Sequence, residues 1–326
     1  MASHLKSLLL PHARTELCNS VLPALLDCIS SIAESLHQSQ HVSLAGTTNA
    51  FGDGQLNVDI AAENLIRTAL AKCPSVVTAS SEEEPVERPA SDGQAADVHP
   101  TSEKYTVAFD PLDGSSIIAP NWTVGTIIGI WDGASAIHQQ PSEKQIAAVL
   151  GIYGPRTTAI IALRVPGGEP CCLEIGIGGP GAQDHQVIRS NVRLAGPPFK
   201  TRYFAPANLR AAAESEAYMR LITQYIEKKY TLRYSGGLVP DVVHALVKGH
   251  GVYLSPVTGK SAAKLRRLYE LFPIALVVEC AGGKAIDPAK GEDILSRPLE
   301  NCDETAGLVC GTAEEVDIVK RALADA

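Results

Sequence analysis

Between Tyr105 and Val165 the chain is little else than apolar runs of strand length: Tyr105–Phe109, Thr123–Trp131, Ile146–Tyr153 and Thr157–Val165, divided by Gly, Pro and Asp. Such a stretch reads as the sheet of a first domain. Helical spacing precedes it. Leu22, Leu25, Leu26, Ile29, Ile32, Ala33 and Leu36 recur every three or four residues, a stripe that packs on a core. Asn19 or Ser20 is the expected cap, with Pro23 in the first turn. A second stripe, Ile60, Leu65, Ile66, Ala69 and Leu70, predicts a helix over Val58–Lys72. The segment Glu82–Glu103, rich in Glu, Pro, Ala, Ser and Asp, reads as an exposed loop. Pro166–Pro198 is dense in Gly and Pro, so a second domain is expected after it, giving 1–198 and 199–326. There the pattern alternates: helices over Ser215–Lys229, from Pro240 and over Ser261–Phe272, then strands Ile274–Cys280 and Gly307–Cys310. A last helix opens on the capping box Thr312/Glu315.

Composition removes several classes of function. Of 326 residues, 28 are Lys or Arg and 36 Asp or Glu, a net charge of −8, the wrong sign for gripping nucleic acid. No stretch approaches the roughly 20 apolar residues of a bilayer span, so no membrane role is expected. The eight cysteines lack CxxC spacing and read as buried reduced thiols of a cytoplasmic chain. The first fifteen residues hold no apolar segment of a signal peptide and read as a mature N-terminus.

Chemistry concentrates in Phe109-Asp110-Pro111-Leu112-Asp113-Gly114-Ser115-Ser116 at a strand end. Two carboxylates three residues apart can converge on one hard divalent cation, and Gly-Ser-Ser offers N–H and hydroxyl donors to a phosphate. The plain alternative is an Asp-Pro, Asp-Gly double turn. Glu82, Glu83 and Glu84 follow another apolar run; alone they read as a solvated charge run, beside Asp110 as further metal ligands. Asp53 and Asp59 precede the second helix, where spacing does not separate a helix-capping acid from a catalytic one. Arg266 and Glu270, four apart, read either as an intrahelical ion pair or, with Lys264, as phosphate and metal groups. Arg233 and Tyr234 before Gly236-Gly237 fit a phosphate site or a turn. The GxGxxG spacing at Gly176–Gly181 lacks a following helix, and His37 and His41 lack a zinc motif.

Taken together, Asp110-Pro-Leu-Asp113-Gly-Ser-Ser, Ser81-Glu82-Glu83 and Lys264-Leu-Arg266-Arg-Leu-Tyr269-Glu270 resemble the fructose-1,6-bisphosphatase superfamily of Mg2+-dependent sugar phosphatases. The strings Asn121-Trp-Thr-Val-Gly-Thr-Ile, Gly151–Thr158, Phe204–Arg210 and Tyr230–Asp241 are similar to its sedoheptulose-1,7-bisphosphatase branch. The resemblance implies an α/β fold, a five-layered α-β-α-β-α sandwich, and hydrolysis of a sugar bisphosphate. It assigns Glu82, Glu83, Asp110, Asp113, Glu270 and the Leu112 carbonyl to about two to three Mg2+ ions, with Mn2+ as a substitute. Asp53 and Asp59, with Glu83, would serve the attacking water; Gly114 and Ser115 would hold the 1-phosphate. Asn208, Tyr234 and Lys264 would hold the distal phosphate, Arg266 would lie near the reacting end, and Arg233 would reach in from a neighbouring subunit of a homodimer or homotetramer. Two positions depart from the fructose-specific pattern, Ile117 and Ser255. The plastid enzymes' regulatory cysteine pair has no counterpart.

Overall fold

A computed structural model describes residues 1–48, 54–91, 102–179 and 185–324. Its helices are α1 (Ala2–Leu9), α2 (Leu22–Gln38), α3 (Asn57–Leu70), α4 (Pro141–Lys144), α5 (Glu216–Glu227), α6 (Leu238–Lys248), α7 (Phe272–Cys280) and α8 (Ala313–Ala324). A ribbon of β1 (Leu44–Thr48) and β2 (Gly54–Leu56) leads into α3. Next come β3 (Val76–Ser81), β4 (Arg88–Pro89), β5 (Tyr105–Asp113), β6 (Val124–Asp132), β7 (Gln145–Tyr153), β8 (Thr157–Leu163), β9 (Cys171–Gly176) and β10 (Gln186–Arg189). They form one sheet in the order β10-β9-β8-β7-β6-β5-β3-β4, antiparallel except where β3 meets β5. A second sheet has the order β12-β11-β13-β18-β15-β16, from β11 (Tyr203–Pro206), β12 (Thr231–Leu232), β13 (Val252–Ser255), β15 (Lys284–Asp287), β16 (Glu292–Asp293) and β18 (Leu308–Gly311). β14 (Leu265–Arg266) and β17 (Thr305–Ala306) form a separate two-stranded antiparallel pair.

Three apolar cores make this an α/β layered sandwich. One packs α1, α2 and α3 on one face of the first sheet; a second packs α6 and α7 between the two sheets; a third packs α5 and α8 on the far face of the second. The unbroken apolar runs follow from burial on both faces, since strand residues point alternately to opposite sides. In β7, Ala147, Val149 and Tyr153 face the α2 side, while Ala148, Leu150 and Ile152 face α7.

Several elements differ from expectation. Of the helix expected over 261–272 only the second half is helical: β14 leads into a wide helical turn, Arg267–Leu271, which runs straight into α7 at Phe272. The expected strand Ile274–Cys280 is α7 itself, apolar all round and wholly buried save for Glu279. The first long helix starts earlier, with a wide turn at Leu17–Val21, and its cap is neither Asn19 nor Ser20: Glu103 accepts the N–H groups of Glu16 (3.0 Å) and Leu17 (3.3 Å). From Leu17 to Gln38 this helix has the length and mean hydropathy (1.2) of a bilayer span, contrary to the sequence reading, yet its apolar stripe is packed in the core. At α8, Glu315 does not turn back on Thr312; it is fully buried and accepts from Tyr230 (2.9 and 3.0 Å) beside His250 and Arg202. Of the 82–103 segment, Arg88–Pro89 pairs with β3, while 92–101 lie outside the described residues. All eight cysteines are free thiols, six of them buried.

Candidate active site

The site forms where parallel β3 and β5 end side by side. Ser81 pairs with Phe109, and the Glu82 N–H donates to the Phe109 carbonyl at 3.0 Å, which sets Glu82 next to Asp110. β5 does not turn at Asp110, as the sequence suggested, but runs through to Asp113. Its register against β6 shifts between Asp110, opposite Ile127, and Asp113, opposite Gly125. The irregularity takes in Pro111, which has no N–H to lend a ladder. Glu270 arrives from the wide turn ahead of α7. Its carboxylate accepts the backbone N–H of Arg266, not the guanidinium that i,i+4 spacing pointed to.

Glu82, Asp110 and Glu270 thus each offer an oxygen to one place, the three lying within 4.8 Å of one another. Asp110 and Glu270 are each 7% exposed. Burial, then the charge of Glu82, drives both carboxyls well above the usual range. Three such acids in a low-dielectric pocket are costly unless a cation neutralises them, and an all-oxygen donor set suits Mg2+ or Mn2+. The residues present fit a divalent metal. Behind them Arg67 spans Glu63 (2.5 Å) and Glu84 (3.1 Å), and Ser81 donates to Glu63 at 2.9 Å, which stiffens the acidic loop. Sequence reading missed this brace, although Glu63 and Arg67 stand four apart on α3.

Asp113 is placed differently. Its oxygens accept the N–H groups of Leu238 (3.1 Å) and Val239 (2.7 Å), the first residues of α6, so it pins that helix to β5. Burial nonetheless pushes its carboxyl to about 6. Leu112 is buried, and its N–H donates to Asp110 at 3.0 Å. Gly114 has φ +90°, and a Cβ there would come within 3.3–3.4 Å of Ile117 and Val124, so the backbone bend before exposed Ser115 belongs to glycine. Ile117 packs on Gly236 and Gly237.

Asp59 plays the helix-cap part: it accepts the Leu56 N–H at 2.9 Å. Its other oxygen is buried without a partner among the described residues, and burial with Glu83 nearby lifts the carboxyl to about 6. Glu83 is tied to Gln55. Asp53 lies outside the described residues. Arg266 reaches towards Glu82, Nε to Oε1 at 3.9 Å.

On the side of the second sheet, Asn208, Tyr234 and the segment carrying Lys264 meet: Asn208 hydrogen-bonds Ser261, and Tyr234 donates to the Ala207 carbonyl at 3.0 Å. Lys264 is exposed. Asp241 accepts the N–H groups of Ser235 (2.8 Å) and Gly236 (3.4 Å). Arg233 is exposed, its guanidinium 5.8 Å from the Tyr203 ring centroid. With Tyr234 and Trp122 it edges a separate cavity of about 1100 Å3 between the end of α2 and α6. His37 and His41 are both exposed.

Carboxylates that converge from three elements, in a two-sheet sandwich, make a donor set that fits a divalent cation, and comparison with known proteins gives the class of the protein, a phosphoric monoester hydrolase. The N-terminal domain family of fructose-1-6-bisphosphatase matches residues 6–178 and its C-terminal domain family residues 198–324. The chain belongs to the fructose-1,6-bisphosphatase family of sugar bisphosphatases, which are phosphoric monoester hydrolases. It is 38% identical over 300 residues to the chloroplastic sedoheptulose-1,7-bisphosphatase of Chlamydomonas reinhardtii, covering 90% of this chain and 72% of that protein. To the class 1 fructose-1,6-bisphosphatase of Syntrophotalea carbinolica it is 34% identical, covering 86% and 81%. A Toxoplasma gondii crystal structure with the provisional name sedoheptulose-1,7 bisphosphatase superposes with a TM-score of 0.84 at 34% identity, over 100% of this chain and 98% of that one. Leishmania major fructose-1,6-bisphosphatase shares the fold, with a TM-score of 0.80 at 23% identity over 96% and 95%.

Proposed function

We propose that this chain hydrolyses the 1-phosphate of sedoheptulose 1,7-bisphosphate, giving sedoheptulose 7-phosphate and inorganic phosphate for pentose and ribose synthesis. It works with Mg2+, or Mn2+ in its place, in the cytoplasm and as a homodimer or homotetramer. The observation that carries the reading is the meeting of Glu82, Asp110 and Glu270. A bound divalent cation supplies positive charge to the phosphoryl oxygens and the leaving oxygen. Glu82, Asp110 and Glu270 hold it, with Glu83, Asp113 and the Leu112 carbonyl as the further candidates. Residues 1–198 bring most of this machinery, and residues 199–326 bring the sugar side together with Glu270.

Asp59 takes the proton of the attacking water on its unpartnered oxygen, a role that a carboxyl lifted to about 6 can fill near neutrality. Asp53 and Glu83 share the orienting of that water. Water adds to phosphorus, the bond from phosphorus to the C1 oxygen breaks, and that oxygen picks up a proton to leave as the sugar hydroxyl. Gly114 and Ser115 receive the departing phosphate, while Lys264, Arg266 and the Asn208–Tyr234 side fix the rest of the sugar. Arg233, exposed at the surface, serves a neighbouring subunit.

The seven-carbon substrate is favoured by the long strings shared with the sedoheptulose branch and by Ser255, whose small side chain leaves reach for one more carbon. The second reading is a fructose-1,6-bisphosphatase or a dual enzyme, favoured by 34% identity to a class 1 fructose-1,6-bisphosphatase. Phosphate release from the two bisphosphates in parallel, each with Mg2+ and with EDTA, separates them. A Mg2+-dependent preference for the seven-carbon sugar is the expected result; equal rates give a dual enzyme, and silence with both returns the chain to a binding role.

A further inference from the structure

The three acids that follow β3 divide between two tasks. Glu82 joins Asp110 and Glu270, and Glu83 lies near Asp59, tied to Gln55. Glu84 instead engages both its oxygens with arginines, Oε2 with Arg67 (3.1 Å) and Oε1 with Arg88 (2.8 Å). The turn that carries all three is closed at its base. The Ser81 N–H donates to the Glu84 carbonyl at 3.2 Å, and the Glu84 N–H donates to Ser81 Oγ at 3.0 Å, which leaves Glu82 and Glu83 at the tip. Ser81 Oγ also accepts from Arg67 Nη2 at 3.4 Å and gives its own proton to Glu63 Oε1 at 2.9 Å, so the hydroxyl fills its one donor and two acceptor places. Glu63 Oε1 receives Arg67 Nε as well, and the ring closes. Its far side is α3, where Asp59, Glu63 and Arg67 stand at four-residue intervals on one face. The Arg67 guanidinium further lies 5.7 Å from the ring centroid of Phe109, the residue just ahead of Asp110.

We propose that Arg67 is a positioning residue for the reaction: its forked guanidinium locks the Ser81–Glu84 turn to α3, so that Glu82 keeps its place in the carboxylate cluster at a fixed reach from Asp59 on that same helix. The proposal rests on the metal-assisted phosphatase reading of the site. The ring needs a fork, because Nε and Nη2 meet two carboxylates at once from one rigid plane, whereas a lysine ammonium is a single point on a flexible stem. Charge alone predicts the opposite sign. Arg67 touches Ser81, next to Glu82, so by Coulomb's law its removal would tighten the binding of a cation there; loss of position loosens it.

The test pairs kinetics with a reading that needs no substrate. Mn2+ binding to the substrate-free protein is followed by electron paramagnetic resonance for the parent, Arg67→Lys, Arg67→Gln and Ser81→Ala, with kcat and KM for both bisphosphates and urea melts without metal. Both Arg67 variants are expected to bind Mn2+ about tenfold more weakly and to lose about tenfold in kcat with KM held, although Arg67→Lys keeps the charge. Ser81→Ala, which alters no charge, moves binding the same way. A merely structural role would lower the urea midpoint and leave the Mn2+ affinity of the folded protein as it was. The proposal is overturned by that result, that is, if Arg67→Lys binds Mn2+ as the parent does, and equally if Arg67→Gln binds it more tightly. Should both Arg67 variants fail to fold, Ser81→Ala decides by the same reading. Should the parent bind Mn2+ yet release no phosphate from either sugar, the functional reading falls and the binding ratios still judge the brace; should the parent bind no Mn2+, the brace falls with the site.

Discussion

Asp113 and Asp241 do similar work a short way apart, each carboxylate accepting two backbone N–H groups at the start of α6. Neither role is visible in sequence, because the partner amides are up to 126 residues away for Asp113 and belong to no capping motif for Asp241. Two acids of the candidate cation site, Glu82 and Asp110, sit in short strings at strand ends that drew attention in the sequence; what the string could not say is that Asp113 would bind a helix. Glu82→Gln should keep the fold, lose the rise in melting temperature that Mg2+ gives the parent, and lower phosphate release by a factor on the order of 10^3. Thermal melts and a phosphate assay check both. Burial lifts Asp241 to about 6 from an ordinary 3.8, so the folded state binds its proton more tightly than the unfolded chain. Its contribution therefore falls as pH rises from 4 to 6, by at most about 1.4 kcal/mol per pH unit, and is flat above. In Mg2+ buffer, Asp241→Asn should flatten that part of the stability curve measured by urea titration; an unchanged slope would count against it.

At the scale of elements, the readable parts were those with a period. The stripes of α2 and α3 and the apolar runs of the first sheet carry their geometry in their spacing. Phe272–Cys280 carries none: it is apolar on every side because it lies between two sheets, and a short run rich in Ile, Val and Leu looks the same as a buried strand. The Arg266/Glu270 spacing misled for a related reason, since an i,i+4 pair is a sign of helix only if the chain between is helical throughout. The start of α2 was unreadable locally, its capping carboxylate coming from Glu103. Close approach of α6 to β6 gives a prediction of its own. A Cβ at Gly125 would fall 2.5 Å from Val239 Cβ, so Gly125→Ala must push α6 outward. The expected loss is about 1–3 kcal/mol in chemical denaturation, with a drop in activity because Asp113 loses its grip on the helix.

Across the whole molecule, Arg233 stands exposed at the rim of a cavity between α2 and α6. If it serves a neighbour, Arg233→Ala and Glu82→Gln chains are each poor alone, yet mixed oligomers made by co-expression recover a part of the parent's activity. An assay of the doubly tagged, co-purified species decides this, and no recovery would sink the shared-site reading. The placement of α7 matters in another way, on the ribosome. The first sheet is complete by Arg189, but the helix that covers its inner face ends only at Cys280, 91 residues later. At roughly 5–20 residues per second, a nascent chain carries that greasy surface uncovered for about 5–18 s, long enough for chaperones or sticky neighbours to find it.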